Sequence, residues 1–228
     1  MLNHTPPLIA VEGADKAGKR TQVLKIMEYL RGRGIDCETL DFPQYKKFFG
    51  ILVKNYLNGE YGAVNDLPSE YAMLPYALDR QQHQDLIRGW LDSGKWVILD
   101  RYSYSNLFSV AKRPMSEWKG KIQYLEELEF TQLGIRRPDH NIYLYLDPNI
   151  AYGMRNQGLK EYQNGKPDIH ESNLKLLSDV SKCYCQVAEM NPSDWTVIDE
   201  MEQGGRLSID EVFDRIRPKL DEFIAMQK

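Results

Sequence analysis

The stretch VEGADKAGKRTQ constrains this chain more than any other: Gly13 and Gly18 bracket four residues and Lys19 follows at once. At that spacing backbone N–H groups wrap a phosphate while the lysine reaches its outer oxygens. The arrangement needs a strand that feeds the loop and a helix that leaves it, because the helix N-terminus adds a field that favours anions. Both are predicted here, since residues 8–12 form a short apolar run and residues 21–30 repeat apolar side chains at helical spacing.

The rest of the chain continues this alternation. Residues 37–42 read as a second strand that Pro43 stops, because proline cannot donate to a central ladder. Residues 48–57 and 69–91 carry helical periodicity, separated by a polar, glycine-containing linker at 58–68. Residues 96–99 are a continuous apolar run, as expected of a strand covered on both faces, and Asp100 stands at its C-terminal end. A helix over 115–133, a buried strand over 141–146 and a helix opened by Asp147 and Pro148 come next. A long helix over 169–190, a strand over 195–198 and a last helix from Ser208 complete the order. Residues 156–167, with Gly158, Gly165 and several lysines, break the periodicity and read as a surface lid. The pattern implies an α/β fold of three layers, a parallel five-stranded sheet flanked by helices, in one domain over residues 1–228. Ligands are then expected at the C-terminal ends of the strands.

Charge narrows the ligand. A net charge of −4 argues against a protein that coats nucleic acid, yet it leaves room for a small anion in a local basic pocket. Three cysteines do not form a disulfide framework, which points to a reducing cytoplasm, and Cys183 and Cys185 diverge on a predicted helix instead of chelating one ion. The start MLNHTPP lacks the basic and apolar stretches of a signal peptide, and no apolar run approaches the ~20 residues of a membrane span, so neither membrane nor secretion is expected.

Four motifs in order, EGADKAGKRTQ, FP at Phe42 and Pro43, YALDRQQ at Tyr76 to Gln82 and DRYSYSN at Asp100 to Asn106, resemble the thymidylate kinase family of P-loop nucleoside-monophosphate kinases. The resemblance covers nearly the whole chain. It implies transfer of the γ-phosphate of ATP to dTMP on the way to dTTP, with Mg²⁺ as cofactor and a homodimer as the assembly. By the same resemblance Gly13, Ala14, Asp15, Lys16, Ala17, Gly18, Lys19, Arg20 and Thr21 hold ATP, together with Arg155 at the lid. Arg101 grips the acceptor phosphate and Asp100 stands near the metal and its waters. Tyr76 stacks on thymine, Arg80 reaches the base edge, Asp15 approaches the sugar 3′-hydroxyl, and Phe42, Ser105 and Asn106 complete the acceptor pocket. Tyr76 and Arg80 are four residues apart, which puts them on one helix face.

Three departures from the family pattern leave alternatives open. Arg20 occupies the place where Ser or Thr gives its hydroxyl to Mg²⁺, so the metal is held through water, or Arg20 itself acts on phosphate, or catalysis is lost. After FP the chain has Gln44, Tyr45, Lys46 and Lys47 instead of an arginine, and a lysine lacks the guanidinium fork. The lid offers Arg155, Lys160 and Lys166 in place of several arginines, which leaves Lys16 as the other cation available to the transferring phosphoryl group. Lys19, Lys16, Arg101 and Asp15 are the expected catalytic set. A deoxynucleoside kinase, with Glu12 or Asp100 as base, and a nucleotide-binding homologue without turnover are the competing readings.

Overall fold

The computed structural model describes residues 5–163, 165–202 and 205–227. Residues 1–4 of the N-terminal stretch and residue 164 of the expected lid therefore lie outside the described residues. In chain order β1 (Leu8–Gly13), α1 (Lys19–Arg31), β2 (Cys37–Asp41), α2 (Phe48–Leu57), α3 (Ser69–Gln81), α4 (Gln84–Asp92) and β3 (Trp96–Asp100) make the first half. The second half is α5 (Leu107–Ala111), α6 (Trp118–Glu126), β4 (His140–Tyr145), α7 (Pro148–Gly153), α8 (Leu174–Met190), β5 (Trp195–Asp199), β6 (Met201–Glu202), β7 (Gly205–Arg206) and α9 (Ile209–Met226).

Five strands form one parallel sheet in the order β2-β3-β1-β4-β5, as the alternation of strands and helices predicts. The central strand β1 is apolar on both faces because both are covered. Ile9 and Val11 pack with Val23 and Ile26 of α1 and Ile216 of α9, while Leu8 and Ala10 pack with Ile87 and Leu91 of α4. A third apolar cluster joins α2, α3, α5, α6 and α8 beyond the sheet. In register Val11 lies beside Asp100 and Gly13 beside Leu144, so the strand ends at the loop, at Asp100 and at Tyr145 open on the same edge. Among the described residues no helix is long and apolar enough to cross a membrane.

Three predicted helices break, two of them where side chains compete with the helix for backbone groups. The helix expected over 69–91 divides after Gln81, because His83 Nδ1 lies 2.7 Å from Asp79 O and Gln84 Nε2 donates to Arg80 O at 2.9 Å. The helix expected over 115–133 is a 3₁₀ turn at Met115–Glu117, then α6, then a π-helical segment at Glu127–Gln132. The helix expected from 169 starts only at Leu174: Asp168 Oδ1 accepts from the amides of His170 and Glu171 and holds a turn, and Asn173 caps the helix through Leu176 N. The α5 segment, its preceding 3₁₀ turn at Ser103–Asn106 and the β6–β7 hairpin carry too few residues for a periodic signal.

Gly13 ends β1 at φ 151°, and a Cβ there would meet Leu144 O at 2.7 Å. Gly13→Ala is expected to cost about 2–6 kcal/mol through backbone strain and overpacking. A thermal melt within about 2 °C of the parent would show that the strand end yields more easily than this geometry implies.

Candidate active site

The loop after β1 carries its charges inward. Gly18 takes φ 69° and hands the chain to α1, and Lys19 Nζ donates to Ala14 O at 2.7 Å across the loop, with Ala17 buried beneath. Burial, then the positive charge of Arg101, brings the Lys19 ammonium down to about 8. Arg20 and Thr21 are exposed at the start of α1 and border the same cleft as Lys19 and Asp100. No protein group donates to the Asp100 carboxylate among the described hydrogen bonds, and no group of three or more His, Cys, Asp or Glu side chains there could hold a metal ion alone.

Arg101 follows β3 with φ 67°, a left-handed conformation unusual for a side-chain-bearing residue. Nη1 donates to Gly13 O at 2.9 Å and Nη2 pairs with Asp15 Oδ1 at 3.0 Å, so the end of β3 is tied to the loop after β1. Glu12 underpins that tie. Its buried carboxylate accepts from Tyr102 N at 2.8 Å, Ser105 Oγ at 2.7 Å and Tyr184 OH at 2.8 Å, which fixes its orientation beneath the loop. Asp15 also accepts from Lys160 Nζ at 2.9 Å. Burial works to raise its pKa, but Arg101, Lys160 and Lys19 together hold it well below the usual carboxylate range.

Beside the loop lies a cavity lined by Phe42, Tyr76, Arg80, Ser105, Phe108 and His170, with Asp15, Arg101 and Lys160 at its border with the phosphate cleft. Most of the residues expected around an acceptor nucleotide are therefore together. The Tyr76 ring packs against Phe108, and its buried hydroxyl has no partner among the described residues. Phe42 packs edge-on to His83 and tilted against Tyr102, immediately before a cis bond to Pro43. His170 Nε2 lies 3.0 Å from Tyr56 OH, and burial, then the charge of Lys112, brings its imidazole down to about 3, so the ring is neutral.

Two expected positions lie away from the cleft, and a third turns its charge aside. Arg155 turns away from the cleft: Nη1 donates to Tyr152 O at 2.8 Å and the guanidinium stacks 3.9 Å over the Tyr152 ring, since a helix-end carbonyl and an aromatic face both compete for it. Asn106 has no exposed surface and sits behind the cavity, where Nδ2 donates to Met73 O and to Glu129 Oε1. Lys16, at φ 72°, lines the phosphate cleft as expected, but its Nζ is turned to the segment expected as a lid, 3.4 Å from Gly158 O and 3.7 Å from Glu171 Oε1. Of the two lysines after FP, Lys46 borders the phosphate cleft, joined there by Lys54 of α2, whereas Lys47 precedes α2 outside it.

Other residues at the site escape sequence reasoning. Tyr162 lies against Tyr45 with ring centres 4.1 Å apart and donates to Asp168 Oδ2 at 3.0 Å. Burial, then the Asp15 and Glu171 carboxylates, pushes Asp168 up to about 6. Glu129 pairs with Arg80 behind the cavity, with Nε to Oε2 at 2.9 Å and Nη2 to Oε1 at 2.6 Å. The signal for Glu129 was available: the stripe Trp118, Ile122, Leu125, Glu129 is apolar at helical spacing except for its last member. For Asp168 and Glu171 only the order of acidic residues after Pro167 was visible, and a helix start explained it equally well.

Comparisons with known proteins give the family and the fold. The family model described as thymidylate kinase matches residues 11–207. A thymidylate kinase of Mycobacterium tuberculosis is 34% identical over 207 residues, covering 88% of this chain and 95% of that protein. The Legionella pneumophila thymidylate kinase is 31% identical with 98% of each chain covered, and the human one is 28% identical over 84% of this chain and 81% of its own length. A solved thymidylate kinase structure from Candida albicans superposes with a TM-score of 0.72 over 96% of this chain and 92% of its own, at 22% identity, which speaks to the fold.

Lys19 makes the phosphate cleft sensitive to pH. Its ammonium, brought down to about 8, must be charged to hold a polyphosphate, so affinity for ATP should fall as pH rises through about 8. The decline should approach tenfold per pH unit above that value. Calorimetric titration gives the test, and an affinity that stays flat from neutrality to well above that pH would remove Lys19 from anion binding.

Proposed function

Because this chain belongs to the thymidylate kinase family, it transfers the γ-phosphate of ATP to dTMP, giving ADP and dTDP, and we propose that Asp15, Lys19, Arg101 and Lys160 form the junction where the transfer takes place. One observation carries this assignment: Asp15, Arg101 and Lys160 line both the phosphate cleft and the neighbouring cavity, so two ligands placed there would meet at those charges.

In this reading the loop from Gly13 to Thr21 holds the ATP phosphates, with Lys19 on the outer oxygens. Arg101 takes the dTMP phosphate with its guanidinium fork, and Lys46 and Lys54 add charge at the cleft wall. Asp15 receives the sugar 3′-hydroxyl, the Tyr76 ring stacks on thymine, and Arg80 donates to the base edge. The acceptor is an ionised phosphate, so no general base is required. The work of the protein is alignment and neutralisation of spread charge. Lys160 supplies the lid cation in place of Lys16, since it already reaches Asp15. The lid at residues 156–167 closes over the cleft and excludes water.

A magnesium ion fits the donor set only with help from its ligands. Asp100 offers a hard carboxylate with no hydrogen-bond partner among the described residues, and Arg20 offers no hydroxyl, so Asp100 would hold the ion through water while substrate phosphates supply the rest. When bound, the ion would neutralise charge on the outer phosphate oxygens.

The remaining expectations keep their place in the proposal: one domain, a cytoplasmic setting consistent with free Cys37, Cys183 and Cys185, and a homodimer. Exposed Phe48 and Ile51 of α2 with Tyr71 and Leu74 of α3 are the apolar surface for the second copy.

Lys19→Ala and Arg101→Ala should each lower kcat/KM by at least about a hundredfold. A near-normal rate in either variant would remove that residue from the junction. In an acceptor panel with ATP and Mg²⁺, dTMP should be phosphorylated and thymidine should not; turnover of thymidine in preference to dTMP would replace this reading by a deoxynucleoside kinase.

A further inference from the structure

Arg80 has less freedom than an arginine at a ligand pocket usually has. Its Nε and Nη2 are both held by Glu129, and the pair is among the most deeply buried in the protein, with exposures of 1% and 0% for the two side chains. Asn106 Nδ2 adds a third donor to Glu129 Oε1 at 2.7 Å, and Asn106 is itself anchored to Met73 O of α3, the helix that carries Arg80. The carboxylate is delivered by the π-helical segment at Glu127–Gln132, whose wider turn interrupts the helix where Glu129 enters the interior. Arg80 lines the cavity, and its Nη1 makes none of the described hydrogen bonds to protein.

A buried ion pair is a poor way to gain stability, because desolvation offsets the attraction and apolar side chains of similar volume do as well. Glu129 continues a stripe otherwise made of Trp118, Ile122 and Leu125, where another apolar residue would have packed. What the carboxylate adds is orientation. An arginine has several rotatable bonds, and a two-point grip on one edge of the guanidinium fixes the plane and aims the opposite edge.

We propose that Glu129 is a positioning residue which, with Asn106 behind it, locks Arg80 so that its free edge presents only donors to the base of the acceptor nucleotide. This rests on the acceptor reading given above. A donor-only edge accepts a base that carries a carbonyl at the contacted position, as thymine and uracil do at carbon 4. It rejects cytosine, whose amino group there is also a donor. Glu129 thus sets the pyrimidine choice without touching the ligand.

Glu129→Gln keeps the volume but replaces one acceptor oxygen by a donor, so the grip on Arg80 is broken. The Kd and KM for dTMP should rise about tenfold to a hundredfold, the range of a hydrogen bond to a charged group. The preference for dTMP over dCMP should narrow in step. The Kd for 2-deoxyribose 5-phosphate, which has no base, should stay within about twofold, a result that general collapse of the pocket could not give. Parallel weakening of dTMP and the sugar phosphate, or no change in either, overturns the proposal. Should Glu129→Gln fail to fold, Arg80→Met/Glu129→Leu replaces the pair by apolar groups and allows the same comparison; undiminished dTMP affinity there overturns it as well. A parent protein that does not phosphorylate dTMP overturns the function reading itself, whereas a parent that does, with parallel losses in the variant, overturns only the role of Glu129.

Discussion

The Asp15 carboxylate is the charge around which the cleft is arranged. Arg101 and Lys160 bond to it, and Lys19 is close enough to help depress its pKa. Three cations gathered where strand ends meet would repel one another in a poorly solvated cleft, and the Lys19 ammonium already shows the strain of burial and of Arg101. One acid on the loop makes the cluster tolerable. It also ties three separate parts of the chain, the loop after β1, the turn after β3 and the lid, to one point. The left-handed turn at Arg101 is held from below by the Glu12 carboxylate, through Tyr102 N and Ser105 Oγ, so the cluster is fixed from the sheet side.

How much of this was legible in the sequence follows from the range of each interaction. The three central strands were visible because a strand buried on both faces must be apolar throughout, and LIAVEG, WVILD and HNIYLY are nearly so. The loop was visible because its glycine spacing serves a local backbone shape. Helix breaks were not, because they depend on side chains such as His83 and Gln84 reaching back to carbonyls that sequence periodicity assigns to the helix. The turn at Asp168 is likewise made by one carboxylate accepting two amides ahead of it.

At the site the same division holds. Arg101, Asp15 and Lys19 belong to motifs whose members are close in sequence or at strand ends, and the fold brings them together in the cleft. Asn106 belongs to such a motif too, yet its side chain is taken by Glu129 and Met73 O, partners that the motif does not contain. Arg155 was assigned to the donor nucleotide by its place at the lid, and the carbonyl and ring of Tyr152 claim it. A motif identifies which residue types are gathered; the competition for each donor is settled by residues far away in sequence.

The two ends of the site use ion pairs in opposite ways. Around Asp15, in the function proposed above, the pairs with Arg101 and Lys160 are exchanged for ligand contacts, since these cations line the cleft and keep donors that a phosphate recruits. Around Glu129 the carboxylate already accepts three hydrogen bonds, from Arg80 twice and from Asn106, and the group is wholly buried. That pair has nothing to exchange, and releasing it would leave a charge without solvent or partner. A kinase needs both behaviours within one pocket. Charges that must follow a phosphoryl group through transfer have to be exchangeable, while a charge that distinguishes one base from another has to stay where it is, since a donor free to swing would reach the acceptor ring nitrogen beside the amino group of cytosine.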